Sequence, residues 1–103
     1  MSTAGPSIST NDEAVLTFAA SLLDSVGAQA SVPAEVVTPC LLAATLLESA
    51  GGQAHRVSLV DGQARPSILA ALAALAQLDA GTFAGNDVLE ASRAARDALA
   101  ELG

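Results

Sequence analysis

The chain has 103 residues, a net charge of −7 from 4 Lys+Arg against 11 Asp+Glu, 51% hydrophobic residues and 15% charged ones. That apolar share at that length excludes disorder over most of the chain and fits one domain able to build a core without disulfides or metal. Four cations, all of them Arg (Arg56, Arg65, Arg93 and Arg96), cannot supply the field that phosphate binding draws on, and the acidity also disfavours anionic membranes.

Residues 1–9 are a Ser/Thr/Gly/Pro arm whose composition predicts flexibility, leaving 10–103 as a single helical domain. The first helix is announced by Thr10 as N-cap with Glu13 three residues on, a capping box, and by Asp12 at the positive end of the helix dipole. Val15, Phe18, Ala19, Leu22, Leu23 and Val26 then recur at helical spacing, and Gly27 is placed to end the helix as a left-handed cap. Pro33 and Pro39 predict a short helical turn followed by a second helix over 39–50, with Thr38 as its N-cap and Gly51-Gly52 as its stop. Cys40, Leu41, Leu42, Leu46 and Leu47 cover more than one face of that helix, the mark of a buried or interface helix.

Over 55–65 the helical pattern lapses. His55, Val57 and Leu59 alternate with Arg56, Ser58 and Val60 before the turn-forming Asp61-Gly62, which predicts a short hairpin with Gln63–Pro66 as return arm, or else a plain loop. A third helix is expected from Pro66 or Ser67 to Leu78, with Ile68, Leu72, Leu75 and Ala76 inward and Gly81 beyond its end. Phe83 falls in a linker over 82–85 as an apolar plug, and Asn86 is the expected cap of a last helix over 87–102. In that helix Val88, Ala91, Ala95, Leu99 and Leu102 face inward, and Glu90, Arg93, Asp97 and Glu101 face water. The fold class is therefore mostly α, a small bundle of about four helices with a short β-hairpin or loop near 55–65.

Groups that carry chemistry are few. A nucleophile would need Cys40 or a serine activated by His55, the only histidine, but Leu41 and Leu42 beside Cys40 favour a small buried thiol. One Cys and one His fall short of a zinc site, and no glycine run has phosphate-binding spacing. Gly51-Gly52-Gln53 matches the tripeptide of peptide release factors, yet the chain lacks the basic surface to enter a ribosome, and a helix stop accounts for the glycines. Asp12, Glu13, Asp87 and Glu90 read as first-turn residues that complement helix dipoles. His55, Arg56 and Arg65 concentrate the cationic groups around Asp61-Gly62, which makes them the candidate docking residues for an acidic partner, weighed against ordinary solvation of a loop.

These features predict a protein without catalytic, metal or cofactor sites: a small structural or assembly subunit that self-associates or docks on a larger particle, a phage virion accessory or adaptor being one case. The expected partners are other protein subunits, in a homo-oligomer or larger assembly, and neither nucleic acid nor membrane. The start of the chain lacks a basic region followed by an apolar one, and no apolar run approaches the roughly 18 residues that span a bilayer, so a cytoplasmic or virion location is expected. The alternative is a small regulatory or ligand-binding domain with an apolar pocket lined by Phe18, Leu41, Leu46 and Phe83.

Overall fold

The first helix, α1 (Thr10–Gly27), forms where the periodicity places it, but rotated about its axis. Leu16, Ala19, Ala20, Leu23 and Val26 are fully buried, Val15 and Leu22 are half-buried, and Phe18 is 51% exposed. Leu16 and Ala20 take buried positions on the inner face, which leaves Phe18 on the outer side of the helix. Asp12 also turns inward, 1% exposed, where both carboxylate oxygens accept the Asp79 backbone N–H at 3.4 Å. The described residues of the computed structural model are 10–57, 63–83 and 85–102; the arm, the Thr10 side chain expected to cap α1, and the Asp61-Gly62 turn lie outside them.

A single helix, α2 (Ala34–Ser49), replaces the predicted turn and second helix. It starts after Pro33, whose φ of −63° and ψ of 153° are extended, and whose carbonyl accepts the Val36 and Val37 amides. Pro39 lies inside the helix, where it lacks the N–H that would bond the Glu35 carbonyl, and Thr38 is an exposed helical residue rather than a cap. Val36 and Cys40, four apart and both fully buried, flank the proline on the inner face and hold the helix continuous across it. At the other end Gly51 donates to the Glu48 carbonyl and Gly52 to that of Leu47, each at 3.0 Å, which is the Schellman closure. Gly51 adopts φ 125°, a region that disfavours side chains.

The third helix, α3 (Ala64–Leu75), begins two residues before Pro66, so the expected return arm of a hairpin is instead the first helical turn. Among the described residues no segment is a strand. Ala64, Ser67, Ile68, Ala71 and Leu75 are its buried stripe, whereas Ala76, expected inward, is exposed just past the helix end. Gly81 falls within a one-turn helix, α4 (Ala80–Phe83), and Phe83 packs half-buried against the core as the plug the sequence suggested. The last helix, α5 (Asn86–Glu101), is entered through Gly85, so Asn86 is its first helical residue and not its cap. Its inner face is Val88, Ala91, Ser92, Ala94, Ala95 and Ala98, with Leu99 and Leu102 half-buried. The Ser92 hydroxyl oxygen is buried there without a hydrogen-bond partner among the described residues.

Both α1 and α5 pack on α2 and on α3, which gives a four-helix bundle in the cyclic order α1, α2, α5, α3. Contacts at the ends fix the directions. Leu41, near the start of α2, covers Gly27 at the end of α1, and Gly52, after α2, touches Leu16 near the start of α1. Asp79, after α3, reaches Asp12, while Ala64 at the start of α3 borders one groove with Gln29, Val32 and Leu102 at the far end. Hence α2 and α3 both run antiparallel to α1 and α5, and the chain between α2 and α3 must travel the length of the bundle. The predicted short loop or hairpin is thus a crossover.

The two glycines that face α1 and α2 predict unequal responses. A Cβ on Gly52 would lie 2.9 Å from the Leu16 carbonyl carbon, so backbone must move. Gly52→Ala is expected to cost about 1–3 kcal/mol, a fall in melting temperature of roughly 4–8 °C per kcal/mol for a domain near this size. At Gly27, which is helical and has no positive φ, the Cβ would press on the Leu41 side chain, which is already exposed and can swing outward, and would meet the Val37 carbonyl oxygen at an ordinary 3.6 Å. Gly27→Ala should stay within about 1 kcal/mol of the parent, since the gain in helix propensity offsets the displaced leucine. Thermal melts followed by circular dichroism compare the two.

Candidate functional site

The crossover is built from α1 outward. Thr17, Ser21 and Ser25 stand four residues apart, and each hydroxyl accepts a backbone N–H from the extended segment after Gly52: Gln53 to Thr17 Oγ1 at 3.0 Å, His55 to Ser21 Oγ at 2.9 Å, Val57 to Ser25 Oγ at 2.8 Å. Four helical residues rise about 6.0 Å and two extended residues about 6.6 Å, so the two repeats stay in step over three bonds. Ser25 Oγ in turn donates to the Ser21 carbonyl at 2.7 Å, which frees its lone pairs for the incoming amide. At about 100° per residue, Ser21 lies roughly 140–200° around α1 from Leu16 and Leu23. The helix is therefore covered on opposite sides, by the bundle core and by this strap. Between the bonded amides, Ala54 N–H donates to Glu48 Oε2 at 3.3 Å, and Arg56 forks onto Asp24 through Nε at 3.1 Å and Nη2 at 3.3 Å. The side-chain hydrogen bond and then the charge of Asp24 raise the Arg56 pKa further above its ordinary value.

The strap separates the three cationic residues that the sequence groups together. His55 lines an open groove of about 390 Å³ with Glu13, Ala14, Thr17, Phe18 and Gln53. Arg56 is held by Asp24. Arg65, in the first turn of α3, borders a second groove of about 230 Å³ with Gln29, Ser31, Val32, Pro33, Ala64 and Leu102. His55 and Arg56 are thus neighbours on the strap, and Arg65 belongs to another surface. The side chains expected to line an apolar pocket are likewise dispersed: Phe18 is exposed beside the strap, Leu41 covers Gly27, and Leu46 and Phe83 pack against the core.

The surface that the bundle leaves apolar is the back of α3. Pro66, Leu69, Ala70 and Ala73, continued by Ala76, are all exposed and follow one another at spacings of three and four. They form a second apolar stripe behind the buried one, with Leu69 48% exposed. A surface helix ordinarily carries charge on its outer face. Here residues 63–78 contain no Asp or Glu and a single Arg, in a chain of net charge −7. The outer face of α5 differs: it shows Glu90, Arg93, Arg96, Asp97 and Glu101, and Arg93 pairs with Glu90 at 3.1 Å, whereas α2 also exposes Leu41 and Leu42. The sequence signal for this face is the absence of any charged residue from α3 after Arg65, and the signal for the strap is the four-residue spacing of Thr17, Ser21 and Ser25.

Cys40 is fully buried in the bundle core, and desolvation pushes its thiol up to about 11, so it is protonated at neutral pH. The imidazole of His55 is exposed on the strap and makes no hydrogen bond among the described residues. The structure therefore does not bring the two together as a nucleophile and base. Among the described residues no three His, Cys, Asp or Glu side chains gather as a metal site, and no helix is long and apolar enough to cross a membrane. Comparison with known proteins finds no matching family and no significant match among characterised proteins or solved structures.

Cys40 makes the alkaline behaviour of the protein readable, because the chain has neither Lys nor Tyr to titrate in the same range. The folded state keeps the thiol proton to about pH 11, whereas an exposed thiol ordinarily loses it near 9.0. The folded state thus binds more protons between these values, and stability present below pH 9 is lost as pH rises towards 11. The full loss is about 2–3 kcal/mol. Urea midpoints at pH 8 and pH 11 should fall in the parent and stay level in Cys40→Ala, which starts from a lower stability.

Proposed function

We propose that this chain is a small non-catalytic assembly subunit, which acts by packing the outer face of α3 against other protein subunits, in a homo-oligomer or on a larger particle such as a virion. The observation that carries this reading is the second apolar stripe of α3: Pro66, Leu69, Ala70, Ala73 and Ala76 exposed at helical spacing with no carboxylate from residue 63 to 78. Copies of a chain of charge −7 repel one another at long range, and this is a stretch where they can approach without acid facing acid. Small side chains allow close backbone approach, and Leu69 supplies the large anchor that the alanines lack.

Light scattering at several concentrations, at low and moderate salt, tests it. A mass above that of the 10.1 kDa monomer, rising or held with concentration, is the expected result. Leu69→Glu, which sets a charge in the middle of the stripe at a residue 48% exposed, should weaken association by about tenfold or more. A monomer at every concentration, with no binding to any isolated assembly, overturns the reading.

A further inference from the structure

We propose that the open groove where the strap begins binds an arginine side chain presented by a basic partner protein, its guanidinium held between the Glu13 carboxylate and the Phe18 ring. This is a second surface, and it stands whether or not the α3 face assembles. The groove, of about 390 Å³, is lined by Glu13, Ala14, Thr17, Phe18, Gln53 and His55. Around α1, Ala14 lies about 100° and Phe18 about 140° from Glu13, so carboxylate and ring form opposite walls with the small alanine as floor between them. The strap fixes the closed end, because the Gln53 amide donates to the Thr17 hydroxyl at 3.0 Å and the His55 amide to that of Ser21 at 2.9 Å.

Charge and aromaticity name the occupant. Phe18 is one of only two aromatic residues in the chain, and it is 51% exposed. Glu13 is exposed and makes no ion pair among the described residues. With His55 neutral, Glu13 is the only charged residue that lines the groove, and a chain of charge −7 draws a basic partner at long range. Asp24 lies about three turns further along α1 and only about 20° around it from Glu13. There the same side of the helix already holds a guanidinium, that of Arg56, through Nε at 3.1 Å and Nη2 at 3.3 Å. At Glu13 the chain supplies the carboxylate and adds a ring, but no arginine. A guanidinium suits this pair better than an ammonium, since its planar fork can bond both carboxylate oxygens while its face lies on the phenyl ring. The Gln53 side chain offers an amide oxygen for a remaining N–H.

Titration of the full chain with a blocked Gly-Arg-Gly peptide, taken to millimolar concentrations in low salt and followed by amide NMR shifts, tests this. Blocked Gly-Lys-Gly and the neutral isostere Gly-citrulline-Gly are the comparisons. Saturable shifts centred on residues 13–18 and 53–55 are expected, with the lysine and citrulline peptides at least about threefold weaker. Glu13→Gln should weaken binding of the arginine peptide by about fivefold. Ala14→Leu, which fills the floor from an exposed helical position, should remove the shifts. Both variants should keep the parent's circular dichroism and its mass by light scattering, which separates this groove from the α3 reading. Absence of saturable shifts in the parent, shifts centred elsewhere, or binding that survives both substitutions overturns the proposal. Equal binding of the citrulline peptide overturns recognition of charge, and equal binding of the lysine peptide overturns the choice of a guanidinium.

Discussion

Three hydroxyls on α1, at Thr17, Ser21 and Ser25, hold the chain that joins the two halves of this bundle. Because α2 and α3 both run antiparallel to α1, the chain leaving α2 must return along the whole molecule before α3 can start. An extended backbone lying on a helix has no ladder to satisfy its amides, and an unpaired buried N–H is costly. The four-residue repeat of the hydroxyls meets the two-residue repeat of the strap and supplies an acceptor at alternate residues. The closure of α2 is part of the same device. Gly51 turns the chain through a positive φ, and Gly52 lets it touch the α1 backbone at Leu16 so that the strap begins in register.

With α1 occupied on both sides, the remaining surfaces divide by charge. The interfaces inside the bundle rely on alanine, at positions 19, 20, 43, 44, 71, 91, 94, 95 and 98, and on a few fully buried branched side chains, Leu16, Leu23, Leu47, Ile68 and Leu75. The outer face of α5 is charged in both signs, whereas that of α3 is apolar. A helix apolar front and back is one that expects neighbours on both sides. The proposal that α3 serves assembly starts from that contrast.

Much of this was legible in the residues, and what was not has specific causes. The helix over 87–102 and its inward residues follow from a clean separation of apolar and charged positions. For α1 the period identifies a helix but not its rotation, because apolar residues and alanine cover more than half its circumference; Phe18 fits the inward stripe by spacing, yet Leu16 and Ala20 are the buried residues and Phe18 is exposed. Pro39 suggested a helix start, yet the burial of Val36 and Cys40 on either side carried the helix through it. Alternation over 55–60 suggests a hairpin strand or a loop, but the described part, 55–57, is bonded to helix hydroxyls and not to a return strand. The grouping of His55, Arg56 and Arg65 reflected closeness in sequence; the strap carries the first two along α1, and Arg65 sits on the helix beyond.

The claim on which the fold account turns is that the strap is bonded to α1 at alternate residues, and amide hydrogen exchange measures it directly. After correction for intrinsic rates, the amides of Gln53, His55 and Val57 should exchange roughly fivefold more slowly than that of Arg56, as expected for hydrogen bonds worth about 1 kcal/mol each. The His55 amide should lose that protection in Ser21→Ala. Uniform, unprotected exchange across residues 53–57 would contradict the account, since the strap would then not be held by the hydroxyls at all.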